Sequence, residues 1–98
     1  MTECFVDSEG ALRFRFPNEV DTAICDEICD GIYEKVQEHE GEVVFDLMGV
    51  QLVTSAFFRI CISTMQTVGK ERMKVTNLEP RVKKTFMIAQ LHKVLVLE

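Results

Sequence analysis

The feature that most constrains this 98-residue chain is a regular change of hydrophobic period along its length. Short β-rich runs alternate with segments whose apolar residues recur every three to four positions, a pattern that demands a layered α/β fold. The run Cys4-Phe5-Val6-Asp7 reads as a strand, and Ser8-Glu9-Gly10 as a turn. Ala11-Leu12-Arg13-Phe14-Arg15-Phe16 then alternates with period two, which puts Leu12, Phe14 and Phe16 inward and Arg13 and Arg15 outward. The two runs predict an antiparallel hairpin, ended by Pro17-Asn18.

Asp21-Thr22 offers a helix cap before Ile24, Ile28, Ile32 and Val36, which recur every four residues with Cys25, Cys29 and Tyr33 beside them. Asp26, Glu27, Asp30 and Glu34 fill the other face, and Glu38-His39-Glu40-Gly41 closes the helix. Val43-Val44-Phe45 lies in a run with no polar alternation, the mark of a strand covered on both sides. Met48 to Val53 reads as a short connection. Thr54-Ser55 starts a second helix with Phe58, Cys61, Ile62, Met65 and Val68 at helical spacing, stopped by Gly69. Arg72 to Thr76 alternates as a strand. Pro80 suits the first position of a third helix with Val82, Phe86 and Ala89 inward, and Val94 to Leu97 forms a last strand. The order β-β-α-β-α-β-α-β predicts an α/β fold: a mixed, mostly parallel sheet with an N-terminal hairpin and three main helices. A single domain over residues 1–98 is expected, since a chain of this mass buries about 65% of its surface around one core.

Charge and motif content bound the function. Residues 1–49 carry 13 acids and 3 bases, and residues 50–98 carry 3 acids and 8 bases, giving the overall −5. That balance disfavours a nucleic-acid binder. The uneven division describes either two differently charged faces of one fold or surfaces that steer partners or self-association. No apolar run reaches the length of a membrane span, and the first residues lack a basic leader, so direct membrane insertion is not expected and a cytoplasmic location is. Cys25 and Cys29 are four apart without a nearby ligand-spaced His, so no metal site is expected and the four cysteines read as buried thiols. His39 and His92 belong to no nucleophile motif, and no phosphate-binding glycine loop is present, so neither catalysis nor a cofactor is expected. The binding reading rests instead on Phe45 to Phe58, where a buried strand ends and a hydroxyl pair meets a helix N-terminus. There Thr54 or Ser55 serves as a cap, or a hydroxyl serves as a phosphorylatable switch whose added charge the helix end tolerates.

Val20-Asp21 before the first helix, Val43-Val44-Phe45-Asp46-Leu47 followed by Gly49-Val50, and Glu79-Pro80-Arg81-Val82 opening the third helix give the chain a resemblance to the STAS family, the domain of anti-sigma factor antagonists. The resemblance spans nearly the whole chain and implies the STAS fold. The family's switch motif is Asp-Ser-Ser/Thr-Gly-Leu, with its first Ser phosphorylated by a partner anti-sigma kinase. Here Thr54 takes the Asp place, Ser55 the phosphoserine place, and Ala56, Phe57 and Phe58 the places that follow. The resemblance implies a docking surface of Asn18, Glu19, Thr54, Ser55, Ala56, Phe57, Phe58 and Arg59. In it Ser55 is the acceptor, Thr54 a helix cap, Phe57 and Phe58 contact or support, and Arg59 a rim charge. Phe57 either stands out as a partner anchor or folds inward. The implied partner is an anti-sigma factor or serine-kinase-like protein. The alternative is a constitutive, non-phosphorylated subunit of a transport or sensory assembly. Exposed edges at the hairpin make a homodimer conceivable.

Overall fold

A computed structural model describes residues 2–98. The chain forms β1 (Glu3–Val6), β2 (Leu12–Arg15), β3 (Glu19–Val20), α1 (Thr22–Glu38), β4 (Val43–Asp46) and β5 (Leu52–Val53). It continues with α2 (Ser55–Val68), β6 (Met73–Thr76), α3 (Pro80–Ile88) and β7 (Val96–Leu97). The main sheet has the order β1-β2-β4-β6-β7, with β1 antiparallel to β2 and every other pair parallel. The three crossovers through α1, α2 and α3 all advance in one direction across the sheet, and right-handed connections then place all three helices on one face.

Strand register explains the core. Phe14, Phe45 and Val75 stand side by side on β2, β4 and β6 and face the helices. Phe16, Phe45 and Phe57 meet edge to face or tilted with ring centroids 5.0–6.0 Å apart, and join sheet to α2. The opposite row runs Phe5, Arg13, Val44, Lys74 and Val96. Val44 is buried there too, because the aliphatic stems of Arg13 and Lys74 flank it in register.

Local chemistry sets the element ends. The Asp21 side chain accepts from the Ile24 amide at 2.9 Å and caps α1. Gly69 ends α2 at φ 91°, a conformation that a side chain resists. Asp7 turns the hairpin rather than extending β1, accepting from the amides of Glu9 and Ala11.

Some elements differ from the sequence reading. Met48 to Val53 is not all connection: β5 pairs in parallel with β3 as a separate two-stranded sheet. Of the expected stripe of α2, Cys61 and Val68 are buried, whereas Phe58, Ile62 and Met65 are half-buried and the rest of the buried face is Ala56, Phe57, Ile60 and Thr64. Ala89 lies past the end of α3 and is exposed. The last strand keeps only Val96–Leu97, because Leu91–Lys93 closes into a 3-10 turn. Among the thiols, Cys25 and Cys61 are buried, whereas Cys4 and Cys29 are partly exposed rather than sealed inside, and all four are free.

Candidate functional site

The small β3–β5 sheet does the assembling. Glu19 pairs with Leu52 and Val20 with Val53. The Asn18 carbonyl also accepts from the amides of Gln51 at 2.7 Å and Leu52 at 3.2 Å. These bonds stitch the loop after β2 to the segment that enters α2, so Asn18 and Glu19 lie beside Leu52 to Ser55. Residues 33 or more apart in sequence thereby share one surface.

At the helix entrance Thr54 is extended (φ −127°, ψ 171°), and Ser55 is the first residue of α2. The Thr54 carbonyl accepts from the amides of Phe57 at 3.0 Å and Phe58 at 3.2 Å, which closes the first turn. Its hydroxyl does not cap the helix as the family motif implies. It donates instead to the Val20 carbonyl at 3.3 Å, a bond that ties α2 to β3. Cys25 of α1 packs against the same hydroxyl. Burial pushes the Cys25 thiol up, while the Thr54 hydroxyl beside it pulls the other way. With no side-chain cap, the N-terminal turn of α2 keeps its positive dipole end uncompensated.

Ser55 is exposed, and Arg59, one turn on and on the same side of the helix, is exposed too. Beside them a groove of about 410 Å³ runs between α1 and α2, lined in part by Asp26, Cys29, Tyr33, Arg59 and Ser63. Ala56 is buried and Phe58 half-buried, its ring 4.9 Å from that of Phe86. Phe57 is 0% exposed and sits among Phe16, Phe45 and Phe86. It is therefore a core residue and not a surface anchor. The hydrophobic gain from sealing a whole phenyl ring outweighs any role at the surface.

The sequence reading missed two parts of this arrangement. Met48 (62% exposed), in the turn after β4, and Leu52 (46%), in β5, are apolar side chains left in the open. Gly49 at φ 81° makes that turn. Period gave no signal for them: Met48, Val50 and Leu52 recur at every second position, yet only Val50 is buried. The second part is Asp46, 1% exposed at the end of β4. Its Oδ1 accepts from the Met48 amide at 3.1 Å and the Asn77 side chain at 2.9 Å. Its Oδ2 accepts from Arg13 at 2.9 Å and lies 3.4 Å from Nε of Arg15. Burial pushes the Asp46 carboxyl up, but the Asn77 amide, the Met48 N–H and the Arg13 guanidinium together hold it below the ordinary value. Asp46 thus fixes the turn that carries Met48 and leads into β5.

The family model of the STAS domain matches residues 5–98. The chain belongs to the STAS domain family. Solved structures share the fold at low identity. A STAS-domain anti-sigma factor antagonist protein from Planctomyces limnophilus is 12% identical, with a TM-score of 0.86 over 99% of this chain and 87% of that one. The Bacillus anti-sigma factor antagonist SpoIIAA in its unphosphorylated form is 14% identical, with a TM-score of 0.82 over 100% and 88%. An anti-sigma factor antagonist from Mycobacterium paratuberculosis is 22% identical, with a TM-score of 0.80 over 99% and 85%. No curated protein matches the sequence at a significant level. In this STAS domain no helix among the described residues is long and apolar enough to cross a membrane.

Proposed function

We propose that this STAS domain is an anti-sigma factor antagonist-like binding module, not a catalyst, and that its docking state is set by phosphorylation of Ser55. The observation that carries the reading is that exposed Ser55 is the first residue of an uncapped α2 whose approach segment is stitched through β3–β5 to the exposed Asn18 and Glu19, with exposed Met48 and Leu52 before it and exposed Arg59 one turn after it. A partner serine kinase of the anti-sigma type docks on this surface, with Met48 and Leu52 as its apolar contacts. Phosphate on Ser55 adds about −1.5 to −2 charges. The positive end of α2 and Arg59, four residues on, accommodate that charge within the domain. The fold therefore survives, and the partner leaves because its contact surface faces a new dianion. A cytoplasmic setting with ATP at hand suits this cycle.

The relatives' solved states support the reading, since SpoIIAA has been described in a phosphorylated form as well (14% identity, TM-score 0.74). The direct test incubates the purified domain with its co-purifying kinase and ATP and maps the product by mass spectrometry. Modification at Ser55, absent in Ser55→Ala, supports the switch. An unmodified Ser55 contradicts it.

One observation favours a second reading. Thr54 stands where the family motif has Asp, and its hydroxyl turns inward to Val20, so no carboxylate flanks Ser55 at that position. A constitutive STAS subunit of a transport or sensory assembly needs no such group. It forms a complex indifferent to Ser55→Asp and weakened by Leu52→Asp.

A further inference from the structure

We propose that a second copy of this chain docks head to tail on the first, the basic end around α3 of one copy on the acidic α1 flank of the next. The two surfaces lie at opposite ends of the helical layer. α1 follows β2 near the β1 edge of the sheet, and α3 lies between β6 and β7 at the other edge. Residues 80–93 carry Arg81, Lys83, Lys84 and Lys93 and no acid. α1 carries Asp26, Glu27, Asp30, Glu34 and Glu38 against the single base Lys35. Among the described residues none of these charges has an ion-pair partner within the chain; the pairs formed involve Arg13, Arg15, Lys74 and their acids. Each end therefore presents a field that no ion pair within the chain offsets, and the two fields are opposite.

Shape follows the charge. At the basic end Ile88 is 73% and Met87 47% exposed, an apolar knob at the close of α3 beside Lys84. At the acidic end a small apolar notch of about 120 Å³ opens between α1 and the β1–β2 hairpin. Ile28, Ile32, Phe14 and Cys4 line it, and Gly31 forms its open wall, with nothing within 4 Å of where a Cβ would stand. Lys35 also lines the notch, while Glu27, Asp30 and Glu34 stand exposed along the same helix. An aliphatic side chain one turn from Lys84 thus meets an aliphatic notch on the helix that carries Glu27, Asp30 and Glu34, with Lys35 the one charge in the notch lining. The two patches are different surfaces, so the contact is heterologous and repeats from copy to copy instead of closing as a two-fold dimer.

Sedimentation of the purified chain over a concentration series tests this. Wild type is expected to associate progressively, and association weakens when ionic strength rises from about 0.1 M to about 1 M, where the screening length falls from roughly 10 Å to 3 Å. Ile88→Asp and the double variant Glu27→Lys/Glu34→Lys, all at exposed positions, each weaken association by about tenfold or more. Mixed, the two variants form a 1:1 dimer that grows no further, because each retains one intact end. A monomer at every concentration, association untouched by both changes, or a mixture that stays monomeric overturns the proposal. Circular dichroism of each variant confirms that the fold is retained.

Discussion

Asp46 shows how one buried carboxylate organises a surface it does not reach. It satisfies a loop amide, the Asn77 side chain and two guanidinium groups at once. Asp46→Ala leaves those donors without their acceptor and is expected to cost about 3 kcal/mol, read by urea denaturation. Its pH signature has a definite sign. The folded-state value lies below the ordinary 3.8, so the stabilisation is complete above that pH and is lost as pH falls below it. Acid unfolding of Asp46→Asn is therefore expected to be shallower than that of wild type in that window. Phe57 gives the matching lesson for the core. Phe57→Ala should lower stability by about 3–5 kcal/mol, with loss of partner binding only in proportion to unfolding. Its inward orientation was hard to read from sequence because two adjacent aromatics fit two helical stripes one residue apart. The true stripe includes Thr64, fully buried, whose polar type hid it from an apolar count. The rival stripe through Ile62 and Met65 looked better and packs only at the margin.

At the scale of elements, the hairpin, the three helices and the parallel strands were legible because period and capping agreed in each. Asp21 caps α1, Pro80 opens α3 and Gly69 closes α2, each for a reason visible in a single residue. Asp21→Ala is expected to cost about 1 kcal/mol through loss of its bond to the Ile24 amide. Gly31→Ala, in mid-helix with open space around it, is expected to stabilise by about 0.5–1 kcal/mol, and thermal unfolding checks both. What stayed invisible was β3 with β5. Two-residue strands carry no period, and Glu19–Val20 and Leu52–Val53 find each other only once the main sheet has brought their loops together. That small sheet is the element that builds the candidate site. The separate residues of the site were therefore easier to name than the reason they meet.

Over the whole molecule, the charge division along the chain becomes a division in space, with acidic α1 at one edge of the sheet and basic α3 at the other. Between them the N-terminus of α2 offers a hydroxyl to solvent on a surface held by two sheets. Ser55 is exposed and outside the core, so on the proposed function a charge placed there is expected to change recognition without changing fold. Titration calorimetry with the co-purifying partner tests that claim most directly, comparing wild type, Ser55→Ala and Ser55→Asp. The account predicts that Ser55→Ala binds like wild type, while Ser55→Asp binds at least about tenfold more weakly with an unchanged melting temperature. Equal affinity for all three proteins would contradict it.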